Sequence, residues 1–246
     1  YRLMYKKNIF VYKLNKVKDN TIVLFPHLGL GDHIIVNGIV NYISNHLKKK
    51  IYLPVKDNYI DQISYLYSTN QNVDLFEVKN ETRNEDVLNF AENNNLKILK
   101  IGYEKVKKEP FNTYFYKQLN IPYEHTYDYF SIPTDISKNE ELTKHLLKYY
   151  KISSSNFILI HGESSYEKYD LSISNKLEKI YINKESDKFN NMFFYEQIIK
   201  EAAEIHCING SFLHLVERID TKAKLYYHHL RKNNMYLSKK WKWVTY

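Results

Sequence analysis

The stretch PHLGLGDH at residues 26–33 holds residue types that can bind an anion or a polar ligand. Gly29 and Gly31 allow a tight turn and a close backbone approach, and a helix beginning here offers unpaired N–H groups. His33 is the last residue of this glycine loop. Asp32 is explained equally well by a local role, because a carboxylate in a first turn caps the helix and complements its dipole. The dinucleotide pattern G-x-G-x-x-G fails at Ile34, which disfavours an NAD enzyme.

Two further polar stretches follow apolar runs. In HGESSYEK (161–168), Ser164, Ser165 and Lys168 have the hydroxyls and the point charge that hold a phosphate. In NGSFLH (209–214), the chain turns sharply into a predicted helix. Asn209 or Ser211 can serve there merely as a helix cap, and His214 can simply pack on the sheet. Each stretch has an ordinary structural explanation, but three such turns after strands favour an anionic ligand.

The elements that position these stretches follow from the apolar patterns. Thr21–Phe25 is a β-branched and aromatic run ended by proline, which predicts a buried parallel strand. Apolar residues at four-residue spacing from Asp32 to Leu47 predict a helix with one apolar face, and Ile51–Val55 predicts a second strand. This is a βαβ unit. The remaining predicted strands and helices of the first half are 73–78, 85–93, 96–101 and 111–119.

A second α/β half follows a proline-containing polar segment that ends in a helix at Glu140–Tyr150. Its predicted strands and helices are 157–160, 179–182, 192–204, 205–208, 211–219 and, as the final strand, 225–227. We therefore predict two Rossmann-like domains, at 1–135 and 136–246. Such an arrangement places the active site in the interdomain cleft, at the strand ends where these folds bind ligands.

Composition narrows the class of protein. The chain has 246 residues, 43% hydrophobic and 26% charged, which is typical of a folded globular protein. Its net charge of +8 comes with abundant Lys, Asn, Ile and Tyr, a bias that an AT-rich genome produces. No apolar run approaches the roughly 18 residues of a membrane helix, and the first ten residues lack a signal-peptide pattern. With Cys207 as the single cysteine, expected to be a core thiol, these features predict a cytoplasmic protein without a membrane span.

Together the three stretches resemble motifs of GT-B glycosyltransferases, and most closely those of the heptosyltransferase-like group. Leu30-Gly31-Asp32 resembles that family's Leu-Gly-Asp motif, whose aspartate is the proposed catalytic base. Ser164, Ser165 and Lys168 resemble its loop of two hydroxyls, a spacer and a lysine, which contacts the donor diphosphate.

The resemblance extends to the last turn. Asn209-Gly210-Ser211-Phe212-Leu213-His214-Leu215 is similar to the family's Asp-Thr-Gly-x-x-His-Leu turn, which cradles the donor phosphates. Glu185 corresponds to the family's donor-ribose carboxylate. Asn209 and Gly210 depart from the family's Asp and Thr, which removes a charge and a hydroxyl, and the chain is shorter than a typical member.

The resemblance implies transfer of a sugar from a nucleoside diphosphate sugar to an acceptor hydroxyl of unknown identity, on a glycan or another molecule. It also implies that the domain at 1–135 is the acceptor-side domain and that the domain at 136–246 binds the nucleotide sugar. Asp32 would accept the acceptor proton, and Lys168, Ser164, Ser165 and Ser211 would stabilise the departing diphosphate. With these groups stabilising the diphosphate, we expect no bound metal ion and no cofactor. The ten histidines are also dispersed without metal-ligand spacing.

Two alternatives stay open. The Asn209-Gly210 departure allows a protein that binds nucleotide sugars without catalysis. The net charge of +8, with rings at Tyr114, Phe115 and Tyr116 that could stack on bases, allows a nucleic-acid-binding protein. Because codon bias accounts for much of the charge, we do not expect nucleic acid to be the partner.

Overall fold

The computed structural model describes residues 9–102, 109–164, 167–230, 235–238 and 240–246. These residues form two α/β units, each built around a five-stranded parallel sheet. The first unit holds the described residues up to Pro133 together with Met235 and Tyr236, and the second holds the others. The predicted α/β class with two Rossmann-like units is confirmed.

In the first sheet, the strand order reverses beside the strand Thr21–Phe25. Its strands are β1 Phe10–Val11, β2 Thr21–Phe25, β3 Lys50–Lys56, β4 Val73–Val78 and β5 Lys97–Lys100, in the order β1-β5-β2-β3-β4. The helices are α1 Leu30–Asn41, α2 Ile60–Tyr67, α3 Arg83–Asn93, α4 Phe111–Leu119 and α5 His125–Asp128. The chain runs from β2 outward to β4 and returns to the other side of β2 as β5. Ligands of parallel α/β sheets bind at such a reversal, at the carboxyl ends of the strands.

Helix α1 lies in the core of the first unit. The spacing of its apolar residues predicts one buried face, but in the structure its side chains are buried on all sides from His33 to Asn41. The helix continues beyond Asn41 as a π-helical turn, Tyr42–His46. The buried amide of Asn41 is paired: its Nδ2 donates to Asn37 Oδ1 at 3.1 Å and to the Tyr129 carbonyl at 3.0 Å. These internal hydrogen bonds permit Asn37 and Asn41 to be buried, although the pattern predicts that the polar face of the helix is exposed.

The close packing of α1 depends on Gly38. A Cβ atom at Gly38 would lie 2.3 Å from the carbonyl oxygen of His125 and 2.8 Å from the Tyr116 hydroxyl. We expect Gly38→Ala to lower the free energy of unfolding by about 1 to 3 kcal/mol, the usual effect of overpacking, despite the better helix propensity of alanine. Urea denaturation measures the change. The exposed control Asn45→Ala should stay within about 0.5 kcal/mol, and equal stability of the Gly38→Ala variant would contradict this packing.

The second sheet also reverses its strand order. Its strands are β6 Phe157–His161, β7 Glu178–Tyr181, β8 Glu204–Cys207, β9 Lys224–His229 and β10 Trp241–Thr245, in the order β10-β9-β8-β6-β7. The helices are α6 Ile136–Tyr149, α7 Glu196–Glu201 and α8 Ser211–Val216, with a 3-10 turn at Met192–Tyr195 before α7. The reversal falls between β6 and β8. Cys207, at the end of β8, is a buried thiol as predicted.

Three predictions for the second half are wrong in detail. Helix α6 begins at Ile136 rather than Glu140, because the Asp135 side chain caps it by accepting from the Lys138 N–H at 3.0 Å. The helix predicted at 192–204 is a 3-10 turn followed by the short α7, and Glu204 already belongs to β8. The strand at β9 is not the last, since β10 pairs in parallel with it. Trp241 anchors β10 through its Nε1, which donates to Glu217 Oε2 at 2.7 Å.

Candidate functional site

In the first unit, the loops that follow β2 and β5 are joined by a hydrogen bond at the reversal of strand order. His27 Nε2 donates to the Gly102 carbonyl oxygen at 2.5 Å. Gly102 has a φ of +79°, and a side chain there would lie 2.7 Å from His27 Cδ2. The imidazole also meets the rings of Phe111 and Phe115 edge-on, at centroid distances of 5.6 and 5.8 Å. The histidine is therefore held in place at the edge of the sheet where a ligand is expected.

Asp32 lies in the first turn of α1 beside this loop. Its Oδ2 accepts a hydrogen bond from the Gly29 N–H at 3.0 Å. A Cβ atom at Gly29 would lie 2.7 Å from the same oxygen, so glycine permits this contact. Gly31 lies in the same turn and is half-buried. One oxygen of the Asp32 carboxylate thus caps the helix, as the local interpretation predicts. The side chain as a whole remains partly accessible to solvent.

Opposing electrostatic effects act on this carboxylate. Burial raises the pKa of Asp32, whereas the imidazole of His27, the Gly29 N–H and the ammonium of Lys56 lower it. Lys56 is the last residue of β3, which lies next to β2. A carboxylate with a raised pKa is a better proton acceptor than an ordinary aspartate, and the two basic side chains favour its ionised form.

His33 does not belong to the accessible part of this loop. Its side chain is fully buried, and neither ring nitrogen has a hydrogen-bond partner among the described residues. Burial, with a smaller effect from the charge of Lys56, lowers the pKa of His33 to about 3. The imidazole is therefore neutral at pH 7 and lies in the interior.

In the second unit, the loop after β6 folds back on itself. The Tyr169 N–H donates to the Gly162 carbonyl at 2.8 Å, and the Ser164 N–H donates to the Glu167 carbonyl at 2.8 Å. A Cβ atom at Gly162 would lie 2.5 Å from the Tyr169 carbonyl oxygen, so the fold of this loop depends on glycine. The Ser164 hydroxyl accepts from the Glu167 N–H at 3.0 Å and so stabilises the turn. Ser165 lies outside the described residues.

Lys168 is at the far side of this loop and is largely exposed. Its Nζ lies 2.8 Å from Glu163 Oε1. The hydrogen bond and charge of Glu163 raise the pKa of Lys168, with a smaller effect from the carboxylate of Glu185, which follows β7. The structure thus brings Lys168 and Glu185 into one electrostatic neighbourhood, and it pairs the lysine with an acid that the sequence did not single out.

The turn after β8 lies against the loop after β6. A Cβ atom at Gly210 would lie 3.3 Å from His161 Cε1 and 3.7 Å from the Glu163 carbonyl oxygen. Asn209 and Ser211, on either side of Gly210, are partly exposed. His214, one turn into α8, is buried, and burial lowers its pKa to about 3. It therefore packs inside the unit, as its ordinary structural interpretation predicts.

The sequence motifs thus fall into two groups, one in each unit. Lys56 and His161 were missed as site residues, and His27 was not assigned a role. A partial signal existed, because each lies just after the carboxyl end of a predicted strand, and ligands of parallel sheets bind at that end. Across the described ranges, no three His, Cys, Asp or Glu side chains cluster as metal ligands would. None of the described helices is long and apolar enough to cross a membrane.

The sequence matches no protein-family model and no curated protein sequence. Among solved structures, the fold is similar to the crystal structure of a glycosyl transferase family 9 protein from Veillonella parvula DSM 2008. The TM-score is 0.58 at 7% identity, over 92% of this chain and 86% of that one. A match to diaminopropionate ammonia lyase of Escherichia coli has a TM-score of 0.25 at 7% identity, over 89% and 50% of the two chains, and carries no structural argument. The chain therefore shares the two-unit α/β fold of the Veillonella protein.

Proposed function

We propose that the chain is a GT-B glycosyltransferase, most similar to the heptosyltransferase-like group, that transfers a sugar from a nucleoside diphosphate sugar to an acceptor hydroxyl. The observation that carries the proposal is the close approach of Gly210, in the turn at 209–211, to His161 and Glu163 beside the strand reversal of the second sheet, because both stretches resemble phosphate-binding motifs. Nucleotides bind at this position in parallel α/β sheets. The fold shared with a glycosyl transferase family 9 protein supports the same class.

The second unit binds the donor in this proposal. Lys168 places a positive charge beside the diphosphate, while Ser164, Ser165 and Ser211 donate hydrogen bonds to it. Asn209, Gly210 and His214 shape the turn, and Glu185 accepts from the donor ribose. The charge that develops on the departing diphosphate is stabilised by these groups without a metal ion.

The first unit supplies the base. The Asp32 carboxylate takes the proton of the acceptor hydroxyl as the acceptor oxygen attacks the anomeric carbon. The bond from that carbon to the diphosphate oxygen breaks, and its electron pair leaves with the nucleoside diphosphate. His27 and Lys56 favour the ionised carboxylate that this step requires.

Thermal stabilisation tests the proposed class. We expect at least one nucleoside diphosphate sugar to raise Tm more than NADH, ATP or a short oligonucleotide does, because a ligand that binds only the folded state stabilises it. The rise should be about 5 to 10 °C at about a hundred times Kd for a chain of this size. Equal shifts for all four ligand classes, or none, would contradict the proposal.

A non-catalytic nucleotide-sugar-binding protein is the second candidate. It is favoured by the turn at Asn209 and Gly210, which lacks the charge and hydroxyl of the family motif, and by the pairing of Lys168 with Glu163. An assay of donor hydrolysis and transfer separates the two candidates. The nucleic-acid alternative loses two of its three rings, because Phe115 and Tyr116 are fully buried and cannot stack on bases, whereas Tyr114 is partly exposed.

A further inference from the structure

His161 is the last residue of β6 and lies at the reversal of the second sheet. It pairs in register with Cys207 of β8, and its carbonyl oxygen accepts from the Ile208 N–H at 3.1 Å. Its imidazole stacks on Phe212, with ring centroids 5.3 Å apart and planes inclined by 29°. The backbone contacts and the stacking together fix the orientation of the ring.

One edge of this ring faces the turn at Gly210. Cε1 lies 3.3 Å and Nδ1 3.8 Å from the point where a Cβ atom on Gly210 would stand. Glycine therefore leaves this edge uncovered by a side chain at that residue. The Glu163 carbonyl oxygen lies 3.7 Å from the same point, and the Glu163 side chain holds Lys168. The imidazole and the lysine thus border the same loop.

The Nδ1 atom of His161 is buried and has no hydrogen-bond partner among the described residues. Buried polar atoms in native proteins are nearly always paired, and an exception requires an explanation. Burial lowers the pKa of His161 to about 4 and outweighs the raising effects of the Glu163 carboxylate and of the residue's own backbone, so the ring is neutral at pH 7. A neutral imidazole can carry its proton on Nδ1 and donate one hydrogen bond from there.

We propose that His161 is a donor-binding residue, whose Nδ1–H donates a hydrogen bond to a phosphate oxygen of a nucleoside diphosphate at the Gly210 turn. This inference rests on the proposed function. It assigns the unpaired nitrogen a partner of the right chemistry, since phosphate oxygens accept hydrogen bonds and cannot donate them when ionised. The positive charge at the site then comes from Lys168, while the hydrogen bond from the neutral His161 orients the phosphate.

Two variants of His161 separate binding from packing. His161→Phe keeps a ring that can stack on Phe212 but removes the nitrogen. His161→Asn loses the ring, yet its amide nitrogen stands close to the position of Nδ1. Calorimetry with UDP, GDP and ADP first identifies a nucleotide that the parent protein binds. We then expect the Phe variant to bind that nucleotide about tenfold more weakly and the Asn variant to stay within about threefold of the parent.

The outcomes are distinguishable. Parent-like affinity in the Phe variant, with a parent protein that binds the nucleotide, overturns the role of His161 and leaves the proposed function intact. Equal losses in both variants, accompanied by lower Tm values, indicate a packing role and also overturn the inference. If the Phe variant does not fold, His161→Gln, which moves the amide nitrogen toward the position of Nε2, should show the same loss. A parent that binds no nucleoside diphosphate contradicts the donor site itself, and the inference fails with it.

Discussion

Asp32→Asn should lower the transfer rate by at least about a hundredfold, with donor affinity unchanged. A positioned general base contributes about a hundredfold to ten-thousandfold in rate, and an amide cannot take the proton. Asparagine still caps a helix through its side-chain oxygen, so the bond from the Gly29 N–H to residue 32 is retained. Steady-state transfer kinetics and donor titrations measure the two quantities separately.

The stability of this variant follows from the sign of the pKa shift. The folded-state pKa of Asp32 is raised, so the aspartate's stabilising contribution is present below its unfolded value near 3.8 and is lost as pH rises through the folded value. At pH 7 the ionised carboxylate costs stability, and Asp32→Asn should melt at or above the Tm of the parent. Asp61→Asn, a change at an exposed aspartate in the first turn of α2, is the control and should leave both rate and Tm unchanged.

The same pKa shift sets the pH dependence of the rate. Transfer should decline as pH falls through the raised pKa of Asp32, because the protonated carboxyl cannot accept a proton. Lys56→Gln removes a charge that lowers this pKa, so the decline should begin at a higher pH. Full activity of Asp32→Asn, or a pH profile unaffected by Lys56→Gln, would contradict the assignment of Asp32 as the base.

Lys168→Ala should weaken donor binding roughly tenfold to a hundredfold, the usual range for hydrogen bonds to charged groups. The free energy of unfolding should hardly change, because the Lys168 side chain is largely exposed and an exposed ion pair such as the one with Glu163 contributes little to stability. Glu163→Gln should act in the opposite direction, since it releases the ammonium from its carboxylate and removes a negative charge near the diphosphate. Titration of the donor at constant ionic strength measures both changes.

Lys222→Ala is the matched control for charge. Lys222 is exposed and precedes β9, so it lies at the opposite edge of the second sheet from the carboxyl ends of the strands. Its loss changes the net charge as Lys168→Ala does, but it should leave donor affinity unchanged. Equal effects of the two substitutions would show a general charge effect, and an unchanged affinity for Lys168→Ala would remove that residue from the site.

Local sequence patterns determined the elements that lie next to the sites. Strands β2 and β4 and helix α4 have the predicted bounds, Thr21–Phe25, Val73–Val78 and Phe111–Leu119. A strand needs a short run rich in apolar and β-branched residues, and a helix needs apolar residues at helical spacing, so both signals are contained in the segment itself. The polar stretches that follow β2, β6 and β8 could be recognised for the same reason.

Tertiary structure decided which of these stretches meet and which side chains are accessible. The hydrogen bond from His27 to Gly102 spans 75 positions, and the approach of His161 to Gly210 requires β6 to lie beside β8. The pairing of non-consecutive strands depends on the packing of the whole sheet, which no local pattern encodes. Burial of His33 and His214 also depends on all the elements packed around them. The sequence therefore determined the candidate residue types at the strand ends, whereas the order of the strands determined their neighbours and their protonation.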